Sequence, residues 1–255
     1  MATTSNGMHY QELGTGERAL VLLPGFGCST EAWAEVAPLL EGYRTILMDL
    51  PGHAGSAGAA ADGNLHHLGE TVVEACREIG LTKFALAGTS LGGAICVRIA
   101  LDHPAETTAV VGVMPWNAGG THAGDQVIEG FLSAYGDRET IAAGVLGISR
   151  KSEKTTDLPR TMATVTEQMW KGWLGEGAYT SMAEQLPELQ VPVCYLIGGK
   201  DVVVDQEAQI ADIRRIPGGR LVLLADAGHL ACYEIPETIA KEINDFLGAR
   251  PAALS

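Results

Sequence analysis

The sequence predicts an α/β fold, a mostly parallel doubly wound sheet with an inserted helical cap. Three observations carry this expectation. Short apolar runs of strand length recur at 8–12, 19–23, 44–49, 84–88, 109–114, 193–198 and 220–224. Helical patterns lie between most of them, and strands alternating with helices build a mainly parallel sheet covered on both faces. The alternation breaks between Trp116 and Gln190, about 75 residues without a good strand and far more than an ordinary connection needs. The expected organisation is a core of residues 1–115 and 191–255, with residues 116–190 as a helical cap.

The helices follow from apolar spacing. One is expected over 31–40. Another covers 65–79, with Leu65, Leu68, Val72, Cys76 and Ile79 forming one stripe. Residues 91–103 carry Leu91, Ala94, Ile95 and Ile99 at helical spacing and stop at Pro104. Within the cap, helical patterns span 127–135, 139–148, 162–173 and 179–186. The last helix runs over 235–247, with Pro236 in its first turn and Ile239, Ile243, Phe246 and Leu247 on one face. There are no repeats, and the only biased stretch is the Gly/Ala-rich loop 52–63.

Composition bounds the function. A chain of 255 residues with 46% hydrophobic content suffices for one domain with a sizeable core. Its longest apolar runs fall short of a membrane span. The opening Met1-Ala-Thr-Thr-Ser-Asn-Gly7 has neither the basic stretch nor the apolar core of a secretory signal, so a cytoplasmic location is expected. A formal net charge of −14 argues against nucleic acid or anionic membrane partners. Five cysteines (Cys28, Cys76, Cys96, Cys194 and Cys232) are odd in number and mostly sit in apolar runs. They read as small core residues in a reducing compartment, although Cys28 lies near the loop that follows an early strand. His66 and His67, adjacent on a helix, point to different faces and make a poor metal pair. No metal or cofactor motif is found.

The chemistry concentrates at Gly88-Thr89-Ser90-Leu91-Gly92, directly after the apolar run Phe84-Ala85-Leu86-Ala87. A serine hydroxyl is a poor nucleophile until it is fixed beside a base. A sharp strand-to-helix turn fixes it, and the close approach of strand and helix favours glycine two residues before and after. The base must be a histidine oriented by a carboxylate. His229 follows the apolar run Leu221-Val222-Leu223-Leu224, at a strand's C-terminal end where α/β sheets carry their chemistry. His122, in a polar Gly-rich stretch, reads as surface. Asp201 follows the run Val193-Cys194-Tyr195-Leu196-Ile197 and is the expected acid, with Asp205 and Asp226 as rivals. Two backbone N–H groups must face the developing oxyanion. Leu91, after the nucleophile, supplies one. Phe26, in Pro24-Gly25-Phe26-Gly27 after an early strand, is the natural second.

Taken together, Leu23-Pro24-Gly25-Phe26-Gly27, Asp49-Leu50-Pro51-Gly52-His53 with Gly55-Ser56, Gly88-Thr89-Ser90-Leu91-Gly92-Gly93, and Asp201 with Gly228-His229 resemble the α/β-hydrolase superfamily. They come in the family's order and span nearly the whole chain. The resemblance implies the roles just given: Ser90 as nucleophile, His229 as base and acid, Asp201 as its orienter, Phe26 and Leu91 as amide donors. One departure is visible. The family usually has His-Gly where this chain has Pro24-Gly25, and that histidine normally supports the loop.

The cap should choose the substrate. It holds three of the four tryptophans and is rich in large apolar groups. Trp116, Phe131, Tyr135, Met169 and Trp170 are candidates for an apolar pocket, hence for a hydrophobic acyl or alkyl group. The basic cluster Arg150-Lys151-Ser152-Glu153-Lys154 reads as a solvated loop. The leading expectation is hydrolysis of a small hydrophobic ester or lactone through an acyl-enzyme. C–C bond hydrolysis of a diketone-type ring-cleavage product is a second reading. Relatives with that activity resemble Asn-Ser-Met at the elbow and His-Trp at the base, where this chain has Thr89-Ser90-Leu91 and His229-Leu230. Haloalkane dehalogenation needs a carboxylate nucleophile and is disfavoured. Cofactor-free perhydrolysis uses the same triad. A ligand-binding signalling protein with a slow triad is the reading of another class, motivated by the Pro24-Gly25-Phe26-Gly27 loop.

Overall fold

Apolar runs without alternation become strands covered on both faces. In the computed structural model, which describes residues 1–120, 125–150 and 155–248, the strands are β1 (Ala2–Thr3), β2 (His9–Leu13), β3 (Arg18–Leu23), β4 (Tyr43–Met48), β5 (Phe84–Thr89), β6 (Thr107–Val113), β7 (Val193–Gly198) and β8 (Arg220–Leu224). They form one sheet in the order β1-β2-β4-β3-β5-β6-β7-β8. β1, β2 and β4 pair antiparallel, and every pairing from β4 to β8 is parallel. Leu20 to Leu23 and Leu86 to Ala87 are fully buried, as the uninterrupted runs require. β8, at the edge, is only half-buried, and Leu223 is exposed. The parallel register sets Leu23 beside Gly88, Thr89 beside Val113 and Gly198 beside Leu224, so the loops after β3, β5, β7 and β8 open on one edge of the sheet.

The helices are α1 (Leu65–Glu78), α2 (Leu91–Asp102), α3 (Asp125–Ser133), α4 (Arg138–Ile148), α5 (Leu158–Met162), α6 (Glu167–Gly175), α7 (Gln206–Arg215), α8 (Ala231–Glu234) and α9 (Pro236–Gly248). α1 starts where the Asn64 side chain accepts from His66 and His67 N–H groups. Its Leu65, Leu68, Val72 and Cys76 stripe is buried.

Several elements differ from expectation. Residues 31–40 form two short 3₁₀ turns, Thr30–Trp33 and Ala37–Leu39, because Pro38 has no N–H and breaks any helix around it. The expected helix over 162–173 is two, α5 and α6, divided where Thr166 turns extended and caps α6 by accepting from the Met169 N–H. The pattern at 179–186 is a pair of 3₁₀ turns, Gly177–Tyr179 and Ala183–Glu188. α7 has no apolar stripe to announce it. It is held instead by polar contacts: the Asp205 carboxylate caps it, Gln209 Nε2 donates to Pro115 O at 2.8 Å, and buried Asp212 accepts from the Ala118 N–H. Those bonds pin the segment that leaves β6. His122 and residues 151–154 lie outside the described residues. No helix among the described residues is long and apolar enough to cross a membrane.

Between β6 and β7 the described residues form helices and 3₁₀ turns joined by irregular loops, with no strand among them. α6 seats on the loops after β4 by backbone-to-backbone contact. A Cβ on Gly172 would overlap the Asp62 carbonyl, and one on Gly63 would overlap the Gly172 backbone. Thr166 N–H donates to Gly52 O at 2.9 Å, and Met182 N–H to Ala118 O at 2.7 Å. Gly172→Ala is therefore expected to cost about 1–3 kcal/mol by overpacking, a fall in Tm of roughly 3–10 °C. Gly175→Ala, with open space at the same helix's end, should leave Tm unchanged or raise it. Thermal denaturation of the two variants side by side checks this.

Candidate active site

Ser90 stands between β5 and α2 with φ 50° and ψ −120°, a conformation that a non-glycine residue adopts only at a cost of about 1–3 kcal/mol. The neighbouring strand holds it there. Ser90 N–H donates to Val113 O at 3.2 Å, and Ser90 O accepts from the Trp116 N–H at 2.9 Å. The glycines are required by contact as well as by the turn. A Cβ on Gly88 would overlap the Gly92 carbonyl, one on Gly92 the Pro24 and Leu23 carbonyls, and one on Gly93 would lie 2.7 Å from Pro115 Cβ.

His229 Nε2 lies 3.1 Å from Ser90 Oγ, and His229 Nδ1 lies 2.9 Å from Asp201 Oδ2. A carboxylate can only accept, so Nδ1 carries the proton and Nε2 is left with a lone pair towards the serine. Asp201 Oδ1 accepts from the Val203 and Val204 N–H groups at 2.8 and 3.1 Å. Burial pushes the Asp201 carboxyl up, but the His229 ring and these two amides outweigh it and hold the pKa below the ordinary value. Gly228 N–H donates to the buried Glu234 carboxylate at 2.8 Å, which steadies the turn that carries His229. The rivals for the acid are elsewhere. Asp205 caps α7, and Asp226 is exposed and paired with Lys200 Nζ at 2.7 Å. Glu234 and the two valine amides had no signal in the sequence, because their roles depend on a turn closing in space.

Leu91 is the first residue of α2, so its N–H has no intrahelical acceptor. The Phe26 N–H makes no hydrogen bond among the described residues. Neither N–H has an acceptor among the described residues. Gly25 brings their loop in, since a Cβ there would stand 3.2 Å from Ser90 Cβ. With Pro24 in place of the family's histidine, support comes from below and above. The Phe26 ring meets His53 edge-on with centroids 5.5 Å apart and Trp170 at 5.2 Å. Cys28 N–H returns to Gly25 O at 3.1 Å, and Asp49 Oδ1 accepts from the Thr30 N–H at 2.7 Å. Burial pushes the Cys28 thiol up to about 12, so it stays protonated as a packed wall group.

Over Ser90 is a cavity of about 80 Å³. Trp116 and Phe131 line it, as do Ile128, Leu158, Met162 and Trp173 from the same helical insertion. Tyr135, Met169 and Trp170 are set back from it. Tyr135 is half-exposed and leans on Trp170 at 5.7 Å; Met169 packs under Gly52; and Trp170 braces Phe26 and donates Nε1–H to Phe131 O at 2.9 Å. They are large and apolar, like the lining residues, and only the helix phase separates the two groups. His66 bonds to Asp102 and His67 to Asp62, so the two rings take different partners although their centroids lie 5.9 Å apart. His66, Glu70 and Asp102 cluster on the surface, but Arg98 already donates to both Asp102 oxygens.

The family profile described as the alpha/beta hydrolase fold matches residues 18–236. The chain belongs to the α/β-hydrolase family. This α/β hydrolase is 27% identical to the dihydrolipoyllysine-residue acetyltransferase component of the acetoin cleaving system of Pseudomonas putida. That match covers 92% of this chain but 64% of the relative, so the chain spans just under two thirds of that protein. It is 26% identical to 2-hydroxy-6-oxononadienedioate/2-hydroxy-6-oxononatrienedioate hydrolase 1 of Dechloromonas aromatica, over 94% of this chain and 90% of the relative. Among solved structures, a hydrolase from Pseudomonas aeruginosa PA01 superposes with a TM-score of 0.85 at 24% identity, covering 97% of each chain.

His53 yields a prediction of its own. It is fully buried with Nδ1 on Pro51 O at 2.9 Å, and burial pushes its pKa down to about 4 against the pull of that carbonyl and of Asp49. A histidine whose folded pKa is depressed leaves stability intact above its unfolded pKa and loses it as pH falls, because the unfolded chain takes up the proton first. The hydrolase should therefore lose on the order of 3 kcal/mol through this ring between about pH 6.5 and about pH 4. Urea unfolding across that window should show a shallower loss for His53→Gln than for wild type; parallel curves would mean that another group titrates.

Proposed function

We propose that this α/β hydrolase cleaves an uncharged carboxylic ester or lactone with a short apolar acyl group through an acyl-enzyme on Ser90. The observation that carries this reading is the cavity over Ser90, whose described lining holds no lysine, arginine or carboxylate. By the scale on which one water takes ~10–15 Å³, it has room for roughly five to eight water-sized groups. A dicarboxylate, as the name of the Dechloromonas relative's substrate denotes, would bring an unpaired charge into that apolar space. This favours the ester over the C–C substrate.

The proposed course runs as follows. Ser90 Oγ attacks the carbonyl carbon as His229 Nε2 takes its proton. Asp201 holds the ring in the tautomer that can accept it and stabilises the imidazolium. The carbonyl oxygen, now negative, receives the Phe26 and Leu91 N–H groups, whose freedom from other acceptors leaves them poised for it. His229 protonates the departing alkoxide and then takes a proton from water; the resulting hydroxide adds to the acyl carbon, and Ser90 Oγ leaves with the proton handed back by His229, releasing the acid. Ester turnover needs no group beyond these.

The direct test is steady-state hydrolysis of p-nitrophenyl acetate, butyrate, octanoate and laurate by wild type and Ser90→Ala. Turnover on the shorter esters that disappears in Ser90→Ala is expected. Rates equal to Ser90→Ala on every ester would sink the reading. Asp201→Asn should lower kcat by about 10³–10⁴-fold by misdirecting the His229 tautomer. Asp226→Asn, at the exposed rival, should stay within about twofold of wild type, as surface substitutions generally do.

A further inference from the structure

The cavity over Ser90 is not the only space at that end of the molecule. A groove of about 410 Å³ opens on the surface between the Thr30–Trp33 turn and α5. Four residues line both spaces: Ala32, Leu158, Cys232 and Tyr233. Side chains that face two cavities stand between them. Leu158 opens α5, and its N–H is tied to Thr155 O at 3.1 Å. Tyr233 lines the inner cavity together with Cys28, so its ring forms part of the inner wall.

The two spaces differ in chemistry. The inner one is apolar. The outer one carries Glu31, Glu35 and Asp157 against Arg160, which pairs with Asp157 at 3.7 Å. We propose that Leu158 and Tyr233 form a partition that sets the longest acyl chain this hydrolase accepts. The groove behind them is a latent extension of the site. The link to turnover rests on the ester-hydrolase reading above, but the partition itself is a property of binding. An acyl chain that fills the inner cavity meets Leu158 next. A longer chain fits only if that side chain yields, and it then emerges in the outer groove.

The test avoids turnover. Methyl ketones with propyl, pentyl and nonyl chains are titrated into Ser90→Ala and into Ser90→Ala carrying Leu158→Ala, read by tryptophan fluorescence. Trp116 and Trp173 line the inner cavity and serve as the probes. In Ser90→Ala the pentyl ketone should bind and the nonyl ketone should bind more weakly. Leu158→Ala should raise the nonyl-to-pentyl affinity ratio by about tenfold or more, as added buried methylenes require. Leu158→Val, a milder change that keeps the core filled, should move the ratio the same way by less. An unchanged ratio in both variants would overturn the proposal. Absent ester turnover would overturn the reaction reading while leaving this ratio as it is.

Discussion

Ser90 can hold its strained backbone only because nothing but hydrogen occupies three neighbouring Cα positions, Gly88, Gly92 and Gly93. That constraint organises the rest. With no side chains between them, α2 starts directly against the carbonyls of Leu23 and Pro24. The Leu91 amide, at the start of α2, and the loop that carries Phe26 are thereby brought to one place. The energy that holds the strain comes from β6, which bonds both the N–H and, through Trp116, the carbonyl of Ser90. A small local cost is met by a rigid sheet that has no alternative arrangement.

The site is then completed by loops that the sheet aligns and that polar groups stiffen. Asp201 and His229 come from the ends of β7 and β8, paired as neighbours. The valine amides and Glu234 hold them in place without touching the serine. The loop after β3, which lacks the supporting histidine usual in its family, gains rigidity from an aromatic stack of His53, Phe26 and Trp170 and from the buried Asp49. Trp170 joins two jobs. It braces a core loop from the helical insertion, and through Phe131 it ties that insertion's first half to its second. The β6–β7 segment and the loop after β3 are thus joined through Trp170.

Much of this was legible in the residues. The buried strands announced themselves by apolar runs, and Ser90, Asp201 and His229 by their positions at strand ends. Legibility failed where packing or polar contacts replace periodicity. α7 is a helix because Gln209 and Asp212 bond to the segment after β6, and no stripe of apolar residues reports such bonds. The turns at 30–39 look helical by spacing, but Pro38 overrides the pattern. Among the aromatic residues between β6 and β7, composition could not tell the ring that lines the cavity from the ring that braces a loop.

The sequence by itself determined the strand-and-helix alternation, the elbow and the order of serine, acid and histidine. These depend on local backbone sterics and on apolar periodicity, both written in adjacent residues. The tertiary structure decided which amides are free, which carboxylate meets the histidine, which side chains wall the cavity, and where that cavity ends. Those are distances between residues far apart in the chain, and only the folded sheet sets them.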